Sequence, residues 1–94
     1  MTTIETVTFR LNEGADPDEL VALDARYQQE VAYQVPGLLR RTTATAAGGE
    51  WLVVTVWADR ASADAAPRFS DSAVAREILA LIGNVAVELY DTVS

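Results

Sequence analysis

The stretch GGEWLVVTVWADR, Gly48 to Arg60, carries the reading on which the fold turns. With side chains alternating along an extended chain, Leu52, Val54 and Val56 point to one side and Trp51, Val53, Thr55 and Trp57 to the other. A strand in a small α+β domain needs one apolar face for its core. This strand has two, and the second carries both tryptophans.

On either side of it the chain divides cleanly. AAGGE, Ala46 to Glu50, supplies the permissive backbone of a tight turn, so the Thr-rich segment Leu38 to Ala46 pairs with the tryptophan strand as a hairpin. Upstream, Pro36-Gly37 stops a helix near Gln34. That helix opens in GADPDEL, with Asp16 as N-cap, Pro17 at the first helical position and Asp18 and Glu19 in the first turn. Leu20, Leu23, Tyr27 and Val31 follow at helical spacing. Before it, Thr3 to Leu11 alternates, with Val7, Phe9 and Leu11 on one face and Thr6, Thr8 and Arg10 on the other. Downstream, DRASADAA forms a short helix that Pro67 breaks. Ser70 or Asp71 is placed to cap the next helix, with Val74, Ile78, Leu81 and Ile82 as its stripe and Gly83 as its C′ residue. Val85, Val87 and Leu89 then alternate with Ala86, Glu88 and Tyr90 in a fourth strand.

The order β-α-β-β-α(α)-β predicts a ferredoxin-like α+β fold over residues 1–94 as one domain, a four-stranded antiparallel sheet with helices on one face. The expected core-facing set is Val7, Phe9, Leu11, Leu52, Val54, Val56, Val85, Val87 and Leu89. The open face then carries Thr6, Thr8, Arg10, Trp51, Val53, Thr55, Trp57, Glu88 and Tyr90. Burying one Trp is worth about 4–6 kcal/mol as an upper bound, against a whole-domain stability of ~5–15 kcal/mol. A cover is therefore expected, and 94 residues leave no third layer to provide it. A second copy related by a two-fold axis, a homodimer, meets the need.

Composition removes several function classes. Fourteen acids against seven bases, all Arg, give a net charge of −7, without the cationic footprint that nucleic-acid binding requires. No run of about 18 apolar residues could cross a bilayer, and MTTIETVTFRL has no basic n-region, so a cytoplasmic location is expected. There is no Cys and no His, hence no disulfide, thiolate or imidazole chemistry. The carboxylates match no calcium loop, and Gly48-Gly49 lies in a hairpin rather than before a helix, so neither a metal nor a phosphate-bearing cofactor is expected. What remains is chemistry by binding, orientation and local field.

Two segments carry a family likeness: VPGLLRRTT, Val35 to Thr43, and EWLVVTVWADRASADA, Glu50 to Ala65. With this element order the chain resembles the dimeric α/β-barrel superfamily and, within it, the antibiotic-biosynthesis monooxygenase-like domains. The resemblance implies a homodimer with a small-molecule pocket in each subunit, some relatives oxidising aromatic, polyketide-like phenols with O₂ and no metal or flavin. The chain departs from the family in PRFSDSAVAREI, Pro67 to Ile78, where Arg68-Phe69 stands in place of a frequent His.

Trp57 matches the family's strand-end Trp, a wall for an aromatic ligand or a packing residue; Trp51 is expected at the interface. Alternation sends only one of Arg40 and Arg41 inward, to hold a phenolate or to form an ion pair. Glu88 and Tyr90 share a face and place a carboxylate beside a phenol, with Glu88 acting as a base or pairing with Arg10 across the sheet. Tyr27 and Tyr33 offer hydroxyls to orient a ligand, although Tyr27 lies on the apolar stripe; Thr8 and Thr55 are neutral lining. Three functions fit: a cofactor-independent monooxygenase on a phenolic or polyketide-derived substrate, a lyase, cyclase or isomerase on a similar ligand, and a non-catalytic binding or dimerisation module.

Overall fold

The computed structural model describes all residues, Met1–Ser94. Strand β1 (Thr3–Leu11) leads through a turn to helix α1 (Pro17–Glu30). Asp16 caps α1, accepting the Asp18 N–H at 2.9 Å, with Pro17 first in the helix. A 3-10 turn at Ala32–Gln34 ends the helical segment before Pro36-Gly37, and β2 (Leu38–Thr45) and β3 (Trp51–Trp57) form the hairpin. Its turn closes through the Ala46 N–H on the Glu50 carbonyl at 2.8 Å, with Gly49 at φ +90°.

Asp59 caps the short helix α2 (Arg60–Ala65) through the Ser62 N–H at 2.7 Å, and its hydrogen bonds with Ser62 hold its pKa below the ordinary aspartate value. Helix α3 (Ala73–Leu79) and strand β4 (Ile82–Asp91) complete the chain. The cap of α3 is Ser72, not Ser70 or Asp71, because those two fall in an intervening 3-10 turn, Phe69–Asp71. Gly83 is not a helix terminator either. The Leu81 carbonyl is already taken by the Asn12 N–H at 2.8 Å, so the chain enters β4 one residue before Gly83.

The sheet is antiparallel in the order β2-β3-β1-β4. Its register corrects the expected faces. Phe9 lies opposite Trp51, Val7 opposite Val53 and Thr3 opposite Trp57, so the tryptophan side of β3 faces the helices. Trp51, Val53, Thr55 and Trp57 are buried there, and the Phe9 and Trp51 rings stack at 6.0 Å between centroids. Leu52, Val54 and Val56 instead share the open face with Ile4, Thr6 and Thr8. Both sides of β3 are apolar, so hydrophobicity could not choose between them. The larger indoles go inward, where they bury more area and span the gap to a thin layer of short helices.

Val85 and Val87 were also expected in the core; they are 48% and 56% exposed, because β4 is an edge strand and both residues border the cavity between sheet and helices instead of packed side chains. Between Thr8 and Arg10 the β1–β4 register slips, and Asn84 takes φ +55° on the bulged strand. The core joins Phe9, Trp51 and Val53 to Leu20 and Leu23 of α1 and to Val74 and Ile78 of α3. Arg26 bridges the two helices at their surface, 3.6 Å from Glu30 and 4.0 Å from Glu77.

Gly37 ties the start of β2 to the end of β3 and to α2. It sits at φ +86°, its carbonyl accepts the Ala58 N–H at 2.7 Å, and a Cβ there would collide with the Ser62 side chain of α2. Gly37→Ala is expected to cost about 1–3 kcal/mol, from left-handed strain and from the clash together. Denaturant midpoints check this, and adding Ser62→Gly should restore only the clash component.

Candidate functional site

Across the helix-covered face the side chains stand in rows set by the register. One row reads Leu89, Glu5, Thr55 and Arg41 from β4 to β2, and the next reads Val87, Val7, Val53 and Thr43. Phe9 and Trp51 follow on one side, Trp57 and Leu38 on the other. Between this face and the helices lies a cavity of about 310 Å³, at the small end of the ~300–1,000 Å³ typical of ligand pockets. Its walls are largely apolar, crossed by one polar band.

Arg41 anchors that band. The residue is buried, its Nη2 donates to Asp24 Oδ1 at 2.7 Å and its Nη1 to Gln28 Oε1 at 3.2 Å. The guanidinium lies 5.0 Å from the centroid of the Tyr27 ring, a cation–π contact. Phe69 covers the same tyrosine, the two rings being 4.6 Å apart and tilted by 37°. Burial raises the Tyr27 pKa above its ordinary value, Arg41 opposes the shift, and Glu5 and Asp24 add to it. Tyr27 therefore keeps its proton at neutral pH. Tyr33 bonds the Arg41 backbone, accepting its N–H at 3.0 Å and donating to its carbonyl at 3.3 Å.

Two strands away in the same row, beyond Thr55, Glu5 Oε1 accepts the Trp57 indole N–H at 3.4 Å, and no Arg forms an ion pair with it. In the next row, two residues along β2 from Arg41, Thr43 Oγ1 is buried without a hydrogen-bond partner. Buried hydroxyls are nearly always paired, so this one is poised for a ligand atom.

The expected site residues separate into two groups. Trp57, Trp51, Thr55, Tyr27 and Arg41 line the cavity, whereas Arg40, Glu88, Tyr90, Thr8 and Arg10 belong to the opposite face of the sheet. Arg41 is the inward member of its pair, but it is committed to Asp24 and Gln28. Tyr33 is 45% exposed and supports Arg41 from outside. The Arg10–Glu88 pair does not form. Arg10 lies opposite Gly83 and donates to the Gly48 carbonyl at 3.0 Å, while Glu88 lies opposite Thr6, four residues away along β1.

Among the polar lining, Glu5, Asp24 and Thr43 escaped the sequence reading of the site, and so did the Phe69 ring that covers Tyr27. Two of them had a signal. Glu5 continues the face of Val7 and Phe9 by period two, and Asp24, which the apolar stripe alone sets among the residues turned elsewhere, lies one helical turn from Leu20 and is drawn inward by Arg41.

No protein-family model and no curated protein matches the sequence. Among solved structures, the cofactor-independent oxygenase SnoaB from Streptomyces nogalater is 20% identical, with 99% of this chain and 94% of that one covered at a TM-score of 0.78. A candidate antibiotic-biosynthesis monooxygenase from Chloroflexus aurantiacus J-10-fl is 18% identical, with 100% and 95% covered at 0.70. A dimeric ferredoxin-like protein of unknown function from Jannaschia sp. CCS1 is 13% identical, with 98% and 100% covered at 0.72. At 20% identity and below, these likenesses speak to architecture: the chain shares its ferredoxin-like α+β fold with these structures.

Proposed function

We propose that this chain is a homodimeric small-molecule enzyme, a cofactor-independent monooxygenase acting on a planar phenolic or polyketide-derived substrate. The observation that carries the reading is the cavity between sheet and helices, an aromatic-walled slot with a carboxylate, Glu5, at one end of its polar band. Its size suits a bicyclic or tricyclic ligand lying between Trp57 and the Phe9–Trp51 stack. The likeness to an oxygenase of this kind supports the same chemistry.

In such a reaction Glu5 takes the phenolic proton, which leaves the total charge of the cavity unchanged. The electron-rich anion reduces O₂ itself. At an activated ring methylene, one oxygen atom becomes the new carbonyl and the other leaves as water with the two hydrogens of that carbon. Tyr27, held protonated by burial, donates a hydrogen bond to developing negative charge. Arg41 contributes its field through Asp24 and Tyr27 rather than by grasping the anion.

Dimerisation rests on the open face of β3. Leu52, Val54 and Val56, beside Ile4, form an apolar strip that no element of the chain covers. In a sheet-to-sheet pair, Arg40, Glu88 and Tyr90 would meet the partner rather than the substrate. No helix of the chain is long and apolar enough to cross a membrane.

Oxygen uptake tests the catalytic reading, with catalase and chelator present and a panel of planar phenols. Trp57→Phe should weaken binding about 5–30-fold, through lost stacking area and the lost indole N–H on Glu5, while sparing the fold. Binding without uptake across the panel would replace oxygenation by the lyase, isomerase or binder reading.

A further inference from the structure

The charge lining the cavity restricts what can enter. Its ionisable walls are Glu5, Asp24, Arg41 and Tyr27. Arg41 is neutralised by Asp24 at 2.7 Å, and Tyr27 holds its proton. Glu5 is left with a single indole N–H at 3.4 Å and no cation. The walls therefore carry one uncompensated negative charge, inside a protein whose net charge is −7.

Resting on the reading of the cavity as a substrate site, we infer that it selects uncharged hydroxylated planar ligands and rejects carboxylated ones, with Glu5 as the discriminating residue and Thr43 as its neutral partner. Two like charges about 6 Å apart at an effective dielectric of about 20 repel enough to weaken binding about a hundredfold. A neutral ligand instead gives its O–H to Glu5, a charge-assisted hydrogen bond. Thr43 Oγ1, buried and unpartnered, can donate to a ring carbonyl or accept from a second hydroxyl. Both contacts lie on the sheet side. Glu5 and Thr43 stand two strands and one row apart in the register, with Thr55 and Val53 of β3 between them, so a flat ligand that meets both carries its polar groups at opposite ends.

Calorimetric titration with four ligands of one ring system tests the inference: 1-naphthol, 1-methoxynaphthalene, 4-hydroxy-1-naphthoate and 1,5-dihydroxynaphthalene. Wild type should bind the naphthol about tenfold more tightly than the ether and about a hundredfold more tightly than the hydroxynaphthoate. Glu5→Gln should reduce the discrimination against carboxylate to about threefold or less, with an unchanged circular-dichroism melt. Thr43→Val should weaken binding of 1,5-dihydroxynaphthalene, which supplies the second hydroxyl, severalfold more than it weakens binding of 1-naphthol, while raising the melting temperature of the free protein, because it removes a buried hydroxyl that has no partner.

Equal binding of the naphthol and the hydroxynaphthoate by wild type would overturn the inference. So would undiminished discrimination in Glu5→Gln. Failure of all four ligands to bind would overturn both this inference and the substrate-site reading. Selective binding without oxygen uptake would uphold the inference while the oxygenase reading falls.

Discussion

Arg41→Ala is expected to lower the unfolding free energy by about 3–5 kcal/mol, the range for removing one partner of a buried ion pair. The substitution leaves Asp24, whose side chain is only 18% exposed, without its cation. It also strips the Tyr27 ring of the guanidinium that lies over it. For a domain of this size such a loss is a large share of total stability. Urea denaturation should show a much lower midpoint. The double variant Arg41→Met/Asp24→Leu should recover most of the loss, since an apolar pair of similar volume does not leave a charge buried alone. A single variant as stable as wild type would show that the pair is solvated in solution. The order of effects also matters for chemistry. Loss of activity in an Arg41 variant reports on folding until its stability has been matched.

Val54→Arg is expected to give a monomer. Val54 is central on the open face of the sheet, opposite Thr6 on one side and Thr42 on the other. A two-fold axis through that face would bury the new charge twice, against itself. Several kcal/mol for each unpaired buried charge implies a dimer constant weakened more than about a thousandfold. Sedimentation equilibrium at micromolar concentration should give twice 10.1 kDa for wild type and 10.1 kDa for the variant. Val21→Arg, at a 55% exposed position on α1, serves as the control and should remain dimeric. A Val54→Arg protein that still dimerises would move the interface off this face.

The element order was legible because each boundary has its own local chemistry. Asp16-Pro17 starts a helix, Pro36-Gly37 stops one, and Gly48-Gly49 permits a hairpin turn, whatever lies elsewhere. Facing was different in kind. Alternation in β3 defines two sides but gives no preference when both are apolar, and the decision came from Phe9 across the ladder. The bulge at Asn84 was half legible: Gly83-Asn84 signals a turn, but only pairing with β1 makes it a bulge within a strand. The site followed the facing. Once the tryptophans turn inward, Thr55, Arg41 and Glu5 come with them by register, and Glu88 and Tyr90 stay outside. The missing partner of Thr43 has no sequence signature, because it depends on which side chains fail to reach it.

Tyr33 has a consequence beyond its support of Arg41. Strand β2 lies at the border of the sheet, and a bare border invites another chain to add a strand and then another after that. The Arg41 N–H and C=O are the groups such a newcomer would use, and one phenol occupies both. This plug leaves a face free to pair once, which yields a closed object, while obstructing the border where growth has no natural end. In the homodimer proposed above, that hydroxyl separates assembly from polymerisation.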